Sequence, residues 1–212
     1  MISSHSRFDF GTLASGYDAW YETETGRMHD AAQKEAVASL LPAQPPGKRP
    51  ALLDVGCGTG HWSVFFAEHG FEVTGVDISP EMISVAQGRH APHCRFVAAD
   101  AMRLPFPDGE FEVASAMAAL EFVSDARLAC AEMIRCLKPG GCLLVGALNR
   151  LAVLNRKRIS SGSGLYSSAR MFAPGELRRL LARLGAVTIC VTSENDCHVA
   201  PGAFMAGKVI KP

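Results

Sequence analysis

The stretch from Leu52 to Ser63, LLDVGCGTGHWS, decides the fold. An apolar run, ALLDV, meets glycines at 56, 58 and 60 and passes at once into a helical pattern through Val64 and Phe65. Glycine has no Cβ, so three of them in this interval let the chain bend sharply and bring its backbone against a ligand at the carboxyl end of a first strand. That edge is where open α/β sheets bind their ligands.

On the C-terminal side, short apolar runs alternate with helical patterns. FEVTGV is followed by a helix from Pro80, and CRFVA, FEVASAM and CLLVGAL continue the series, with a helix between Asp125 and Leu137 ended by Lys138-Pro139-Gly140-Gly141. This alternation implies βαβ units and a parallel sheet. The last runs, AVTICV and FMAGKVI, are close enough to pair as a terminal hairpin. On the N-terminal side, Tyr17 to Leu41 reads as a helix, and the Pro-rich PAQPPGKRP breaks it. Between Asn149 and Phe172 the rhythm fails in a Ser-, Gly- and Arg-rich segment, which reads as an insertion over the sheet before a helix resumes at Pro174.

With 212 residues and 48% hydrophobic composition, the chain is sized for one globular domain, taken as 1–212. Its 21 basic and 21 acidic residues cancel, which removes the positive field that binding to a phosphate backbone requires and argues against nucleic acid. No apolar run is long enough for membrane insertion, and MISSHSRFDF lacks the features of a signal peptide, so a cytoplasmic location is expected. The seven cysteines, at 57, 94, 130, 136, 142, 190 and 197, are an odd number without tight pairs and read as free thiols. Cys190, Cys197 and His198 lie near one another but lack a C-x-x-C knuckle and a fourth ligand, so no metal is expected.

The glycine spacing is G-x-G-x-G. A dinucleotide loop has G-x-G-x-x-G, and a Walker loop ends in Gly-Lys-Ser/Thr. In VTGVDIS, Asp77 is the first polar side chain after an apolar run; a carboxylate there accepts both hydroxyls of a ribose and repels a 2′-phosphate. Ser79 next to Pro80 suffices to cap the following helix, which leaves Asp77 for a ligand. Asp100, directly after CRFVA and between alanines, is placed to accept from an exocyclic amine.

Together these residues resemble the class I S-adenosylmethionine-dependent methyltransferases, in particular the small-molecule group of the ubiquinone and menaquinone biosynthesis methyltransferases. DVGCGTG is similar to that family's first motif, VDIS to its ribose-binding acidic motif, ADAMRLPFPDGEFE to its adenine-contacting segment, and MIRCLKPGGCLLV to the segment entering its fifth strand. The resemblance implies a Rossmann-like α/β fold, a seven-stranded mostly parallel sheet with one antiparallel strand and helices on both faces. S-adenosyl-L-methionine is the implied cofactor. Asp54 would help hold the loop, Gly56, Cys57 and Gly58 would border the methionine portion, Gly60 would belong to the same cofactor-binding loop, and Asp77 would take the ribose. Ile78 and Met82 would flank the adenine, Asp100 and Ala101 would meet its edge, and Ala116 with Met117 would line the sulfonium side.

The implied reaction is in-line transfer of a methyl group to a small molecule. A sulfonium leaves as a neutral thioether, so alignment is most of the task. His29, His61 and Glu121 are candidate bases or orienting groups, but no spacing among them marks a catalytic unit, and the catalytic residues stay unassigned. Tyr17, Trp20 and Tyr21, in a lid helix spanning about 14–41, either fold over the cofactor or pack on the domain. Between Glu132 and Glu176 there is no acidic residue, whereas the N-terminal helix carries Asp18, Glu22, Glu24 and Asp30. This contrast raises the expectation that the helix and the insertion, about 149–173, attract each other, leaving Arg150 or Arg170 to hold an anionic substrate group. The alternative to an enzyme is a sensor or assembly subunit that binds S-adenosylmethionine without catalysis. An NAD-dependent oxidoreductase is disfavoured by the glycine spacing. The identity of the acceptor and the oligomeric state are not legible.

Overall fold

The computed structural model describes residues 6–162, 164–193 and 201–212. Its seven strands are β1 (Ala51–Val55), β2 (Glu72–Asp77), β3 (Cys94–Ala98), β4 (Phe111–Met117), β5 (Leu137–Leu148), β6 (Val187–Ser193) and β7 (Pro201–Ile210). They form one sheet in the order β3-β2-β1-β4-β5-β7-β6. Strands β1 to β5 are parallel, and β7 runs antiparallel to both β5 and β6. This is the Rossmann-like sheet implied above, terminal hairpin included. The order reverses between β1 and β4, and the crevice at such a switch point is where open sheets take ligands.

The helices follow from local signals. Helix α1 (Ala19–Glu22) and α2 (Glu24–Ala38) precede the sheet, and α3 (His61–Glu68) starts directly on the glycine loop. The next, α4 (Pro80–Gly88), is capped as expected, with Ser79 accepting from the Met82 N–H and Pro80 in its first turn. Helix α5 (Ala126–Cys136) is capped by Asp125, and α6 (Val153–Ser160), α7 (Gly164–Ser168) and α8 (Pro174–Leu181) follow β5. Two apolar layers sandwich the sheet. One gathers Leu53, Val76, Met133, Leu143, Leu177 and Met205, and the other gathers Val37, Leu52, Phe66, Phe71, Leu144 and Phe204.

Three details differ from the sequence reading. The helix expected from Tyr17 to Leu41 is preceded by a 3-10 turn (Gly11–Gly16) and is itself broken into α1 and α2, because Thr23 is extended and its hydroxyl accepts from the Gly26 N–H. A threonine that caps a new helix does so at the cost of continuing the old one. Lys138 to Gly141 does not separate helix from strand: β5 starts at Leu137, paired with Phe111, and the extra residues form a register shift before Val113 meets Cys142. The insertion contains α6 and α7, and its ends are joined where Asn149 bridges to Phe172.

No helix among the described residues is long and apolar enough to cross a membrane. No group of three His, Cys, Asp or Glu among them is arranged to hold a metal ion, and Cys197 and His198 lie outside the described residues.

Candidate functional site

A cavity opens at the carboxyl ends of the parallel strands. Its wall is supplied by Val55 to Thr59 after β1, Asp77 and Ile78 after β2, Ala99 to Ala101 after β3, and Met117 to Leu120 after β4. Met82, His61 and Trp62 extend the wall from α4 and α3.

The glycine loop has the conformation its composition calls for. Gly56, Gly58 and Gly60 all have positive φ, at 72°, 54° and 85°. A Cβ on Gly56 would stand 2.4 Å from the Ala119 Cβ, and one on Gly60 would meet the Phe96 ring at 2.9 Å, so both lie against packed protein. A Cβ on Gly58 would meet nothing within 4 Å. Gly58 lines the cavity, so its bare backbone faces the space a ligand would fill.

Asp77 joins this loop to the end of β2. Its Oδ2 accepts from the Gly58 N–H at 2.9 Å and its Oδ1 from the Ser79 N–H at 2.9 Å. The carboxylate is therefore not left wholly to a ligand, but a carboxylate has about four acceptor positions and the two backbone donors use half of them. Burial pushes its pKa up, against the pull of these N–H groups. Beneath the loop, Asp54 is buried and accepts from the Ser63 hydroxyl at 2.7 Å and the Ser115 hydroxyl at 2.9 Å, tying β1 to α3 and β4. Burial raises its pKa to about 6, the two hydroxyls opposing. Asp54, Gly60 and Ala116 support the site from behind and are not part of the cavity wall. At the end of β4 the wall is instead Met117, Ala118, Ala119 and Leu120, with Ala118 held at φ 51°, a conformation rare for a residue with a side chain. Asp100 accepts from the Met102 N–H at 2.9 Å and lines the cavity with Ala101.

The N-terminal segment crosses the cavity mouth. Ser6 bridges to Val123, the Arg7 N–H donates to the Phe122 carbonyl, and Phe10 packs edge-on against Phe122 and Tyr17. Ser6, Phe10, Tyr17 and Tyr21 all line the cavity. The segment is latched to the glycine loop through Asp18, which accepts from the Thr59 hydroxyl at 2.7 Å and pairs with Arg89 at the end of α4. The Tyr21 ring stacks on His61 with centroids 3.9 Å apart, and His61 Nε2 lies 2.7 Å from Asp30. Although burial works against its charge, Asp30 is held below the ordinary carboxylate pKa by His61 and Lys34. His61 thus belongs to the closure of the cavity and not to an exposed first turn. Trp20 is off the wall, stacked with His29, with the Arg158 guanidinium 5.5 Å from its ring.

Several expectations are corrected. Glu121 is neither exposed nor at the cavity. It is fully buried behind Leu120 and Phe122; Oε1 accepts from the Leu148 N–H at 2.6 Å, and Oε2 has no hydrogen-bond partner. Burial raises its pKa to about 7. The expected pairing of acidic helix with basic insertion is also absent among the described residues, because Asp18 pairs with Arg89, Asp30 with Lys34 and His61, and Arg150 with Glu176. Segment and insertion meet instead through Arg158, which lies over the Trp20 and Tyr166 rings. Arg150 and Arg170 line a second cleft, not this cavity. Sequence reasoning missed Ser6 and Phe10, for which nothing at the N-terminus gave a signal, and it missed Thr59, although that residue stands inside the glycine motif.

A loop with open backbone at Gly58, a strand-end carboxylate beside it, and apolar walls from Ile78 and Met82 form a cradle for a nucleoside with a charged tail. Comparison with known proteins agrees, since the model of the family described as "Methyltransferase domain" matches residues 53–145. Residues 53–145 are thus similar to that methyltransferase domain. The match runs from β1 through β5 up to Val145 and so contains every strand end of the cradle.

Relatives carry the same name. A malonyl-[acyl-carrier protein] O-methyltransferase of Serratia marcescens is 37% identical over 141 residues, covering 66% of this chain and 51% of the relative. A demethylmenaquinone methyltransferase of Beutenbergia cavernae is 37% identical over 136 residues, covering 64% and 55%. The chain spans about half the length of these curated relatives. Among solved structures, a Thermotoga maritima S-adenosylmethionine-dependent methyltransferase, described as a possible histamine N-methyltransferase, superposes with a TM-score of 0.79 at 25% identity, covering 96% of this chain and 98% of that one. The fold is therefore shared along nearly the whole chain.

Proposed function

We propose that this protein binds S-adenosylmethionine at the glycine loop and transfers its methyl group to a small-molecule acceptor. The observation that carries the reading is Gly58, whose positive φ and missing side chain turn open backbone into the cavity beside Asp77. The residues present fit the cofactor. The remaining acceptor positions of Asp77 would take the ribose hydroxyls, Ile78 and Met82 would flank the adenine, and Asp100 with Ala101 would meet its edge. Gly56 to Gly58 would border the methionine portion.

The cofactor, when bound, supplies a methyl carbon that is already electrophilic. The chain's task is to align the acceptor and exclude water, for which Phe10, Tyr17, Tyr21 and Phe122 form the apolar cover. No described side chain at the cavity is assigned as a general base. The acceptors in the relatives' names, demethylmenaquinone and a malonyl group carried on acyl-carrier protein, support an acceptor group small enough to be delivered to a cavity. A cytoplasmic location belongs to the same reading and is supported by unpaired cysteines at 57, 94, 130, 136, 142 and 190.

The test is calorimetric titration with S-adenosylhomocysteine, followed by incubation of the protein, methyl-labelled S-adenosylmethionine and a fractionated metabolite extract. Saturable binding and transfer of label to one fraction are expected. Failure of the product to bind overturns the reading, and binding without label transfer to any fraction overturns the enzymatic half of it.

A further inference from the structure

Next to the candidate cavity lies a second and larger cleft of ≈ 680 Å³, and the two share Leu120 and Val123 in their walls. Six arginines line the cleft, against two carboxylates. The chain as a whole has no net charge, so this is a local accumulation and not a property of composition.

The two carboxylates are already engaged. Glu176 grips Arg150 in a fork, with Nε at 3.2 Å and Nη2 at 3.1 Å, and also accepts from the Ala173 N–H. Asp125 caps α5 by accepting from the Arg127 and Leu128 N–H groups. No carboxylate among the described residues forms a salt bridge with Arg7, Arg127, Arg170 or Arg183, and Arg179 acts on Glu176 only from a distance, helping to lower its pKa. Arg7 is moreover held in place by neutral groups, its Nε donating to the Val123 carbonyl and its Nη2 to the Ser124 carbonyl, so its charge is positioned but not neutralised.

Four separate parts of the fold bring these groups together. The N-terminal segment supplies Arg7, the start of α5 supplies Arg127, the joined ends of the insertion supply Arg150 and Arg170, and α8 with the residues after it supplies Arg179 and Arg183. Guanidinium groups drawn from distant positions onto one concavity repel one another unless an anion sits among them. Their planar donor forks match the oxygens of phosphate and carboxylate groups.

We infer that the acceptor carries a multiply charged oxyanion, a phosphate, diphosphate or polycarboxylate end, which is held in the arginine cleft while the rest of the molecule passes Leu120 and Val123 into the cavity. The inference rests on the methyl-transfer reading for what happens at the far end of the acceptor, but the anion site itself is testable without turnover. It assigns the insertion a purpose: Arg170 takes the anionic end of the acceptor, Arg150 stands beside it held by Glu176, and neither lines the cofactor cavity.

The experiment titrates inorganic pyrophosphate and, separately, succinate into the full chain and into Arg179→Glu/Arg183→Glu, two exposed positions whose change leaves the core intact. S-adenosylhomocysteine is titrated into both proteins in parallel. At least one of the two anions is expected to bind the wild-type chain saturably, to weaken as salt is raised, and to lose at least tenfold in affinity in the double variant, with S-adenosylhomocysteine affinity within twofold. The anion that binds tells a phosphate-bearing acceptor from a carboxylate-bearing one. If neither binds, or if binding is equal in the variant, the inference is overturned. It is overturned as well if both small anions fail while poly-L-glutamate binds, since the cleft would then be a docking face for an acidic protein. Arg170→Gln repeats the comparison if the double variant does not fold. Failure of S-adenosylhomocysteine to bind the wild-type chain strikes the methyl-transfer reading instead, so the two failures are distinguishable.

Discussion

Gly58 and Asp77 carry most of the functional argument, and both were legible because their chemistry is local. A glycine at positive φ and a carboxylate at a strand end are written in the sequence as residue type and position. Ala116 was less legible. Whether it or Met117 to Leu120 reaches the cavity depends on where β4 stops, and that is set by its pairing with β5, where Met117 meets Gly146 and the Ala118 N–H reaches the Gly146 carbonyl. Two outcomes belong to this scale. Gly58→Val forces a branched side chain to a φ of 54° and into the cavity, so it is expected to abolish S-adenosylhomocysteine binding while circular dichroism reports an intact fold. Asp77→Ala removes a charged acceptor worth about 1.5 to 3 kcal/mol, and calorimetry is expected to register a loss of roughly tenfold to more than a hundredfold. Unchanged affinity in the folded Asp77→Ala protein removes the ribose assignment.

Among the elements, the parallel strands, the capped α4 and α5 and the terminal hairpin could all be read from period and punctuation. The cover over the cavity could not. The sequence reading placed it in a helix over 14–41, but Thr23 splits that helix, and the covering residues begin at Ser6, whose partner Val123 lies far along the chain. No periodicity in one segment encodes a contact with another. Charge contrast was a poor guide for the same reason, since Asp18 found Arg89 and Thr59, both close to the glycine loop, before any residue of the insertion. The latch is modest in energy, because a partly exposed ion pair contributes about 0 to 1 kcal/mol. Arg89→Ala is accordingly expected to weaken S-adenosylhomocysteine by less than about tenfold, the equivalent of 1.4 kcal/mol. Its clearer effect is on the cover. Chymotrypsin is expected to cut at Phe10, Tyr17 and Tyr21 faster in the variant, and ligand is expected to slow the cutting in the wild-type chain. Identical cleavage of both proteins would remove the latch from the description.

For the molecule as a whole, the same sandwich that builds the cavity also buries two carboxyls, and their titration gives the fold a pH dependence that no sequence pattern announces. Burial raises the Glu121 pKa from its ordinary 4.5 to about 7 in the folded state, and that of Asp54 from 3.8 to about 6. Each folded pKa is raised, so between the two values the native state holds a proton that the unfolded chain has lost, and stability falls as pH rises through that window. For Glu121 the cost is absent below about 4.5 and fully present above about 7, where it reaches about 3 kcal/mol at 1.36 kcal/mol per unit. Glu112, Glu132 and Glu176 act in the opposite direction: paired with cations or backbone N–H groups, their pKa values are lowered and their stabilisation is lost on acidification. The two trends place the maximum of stability on the acid side, near the ordinary carboxylate pKa range, with stability falling from there as pH rises through the Asp54 and Glu121 windows. Glu121→Gln separates them. The amide keeps an acceptor for the Leu148 N–H and removes the charge that Oε2 leaves without a partner. At pH 8 the variant is expected to melt about 5 to 10 °C above the wild type, given roughly 2 to 4 °C per kcal/mol for a chain of this size. At pH 5, where Glu121 is protonated in the native state, the two melting temperatures are expected to converge. A gain of equal size at both pH values would show that the variant improves packing and that Glu121 does not titrate in this range.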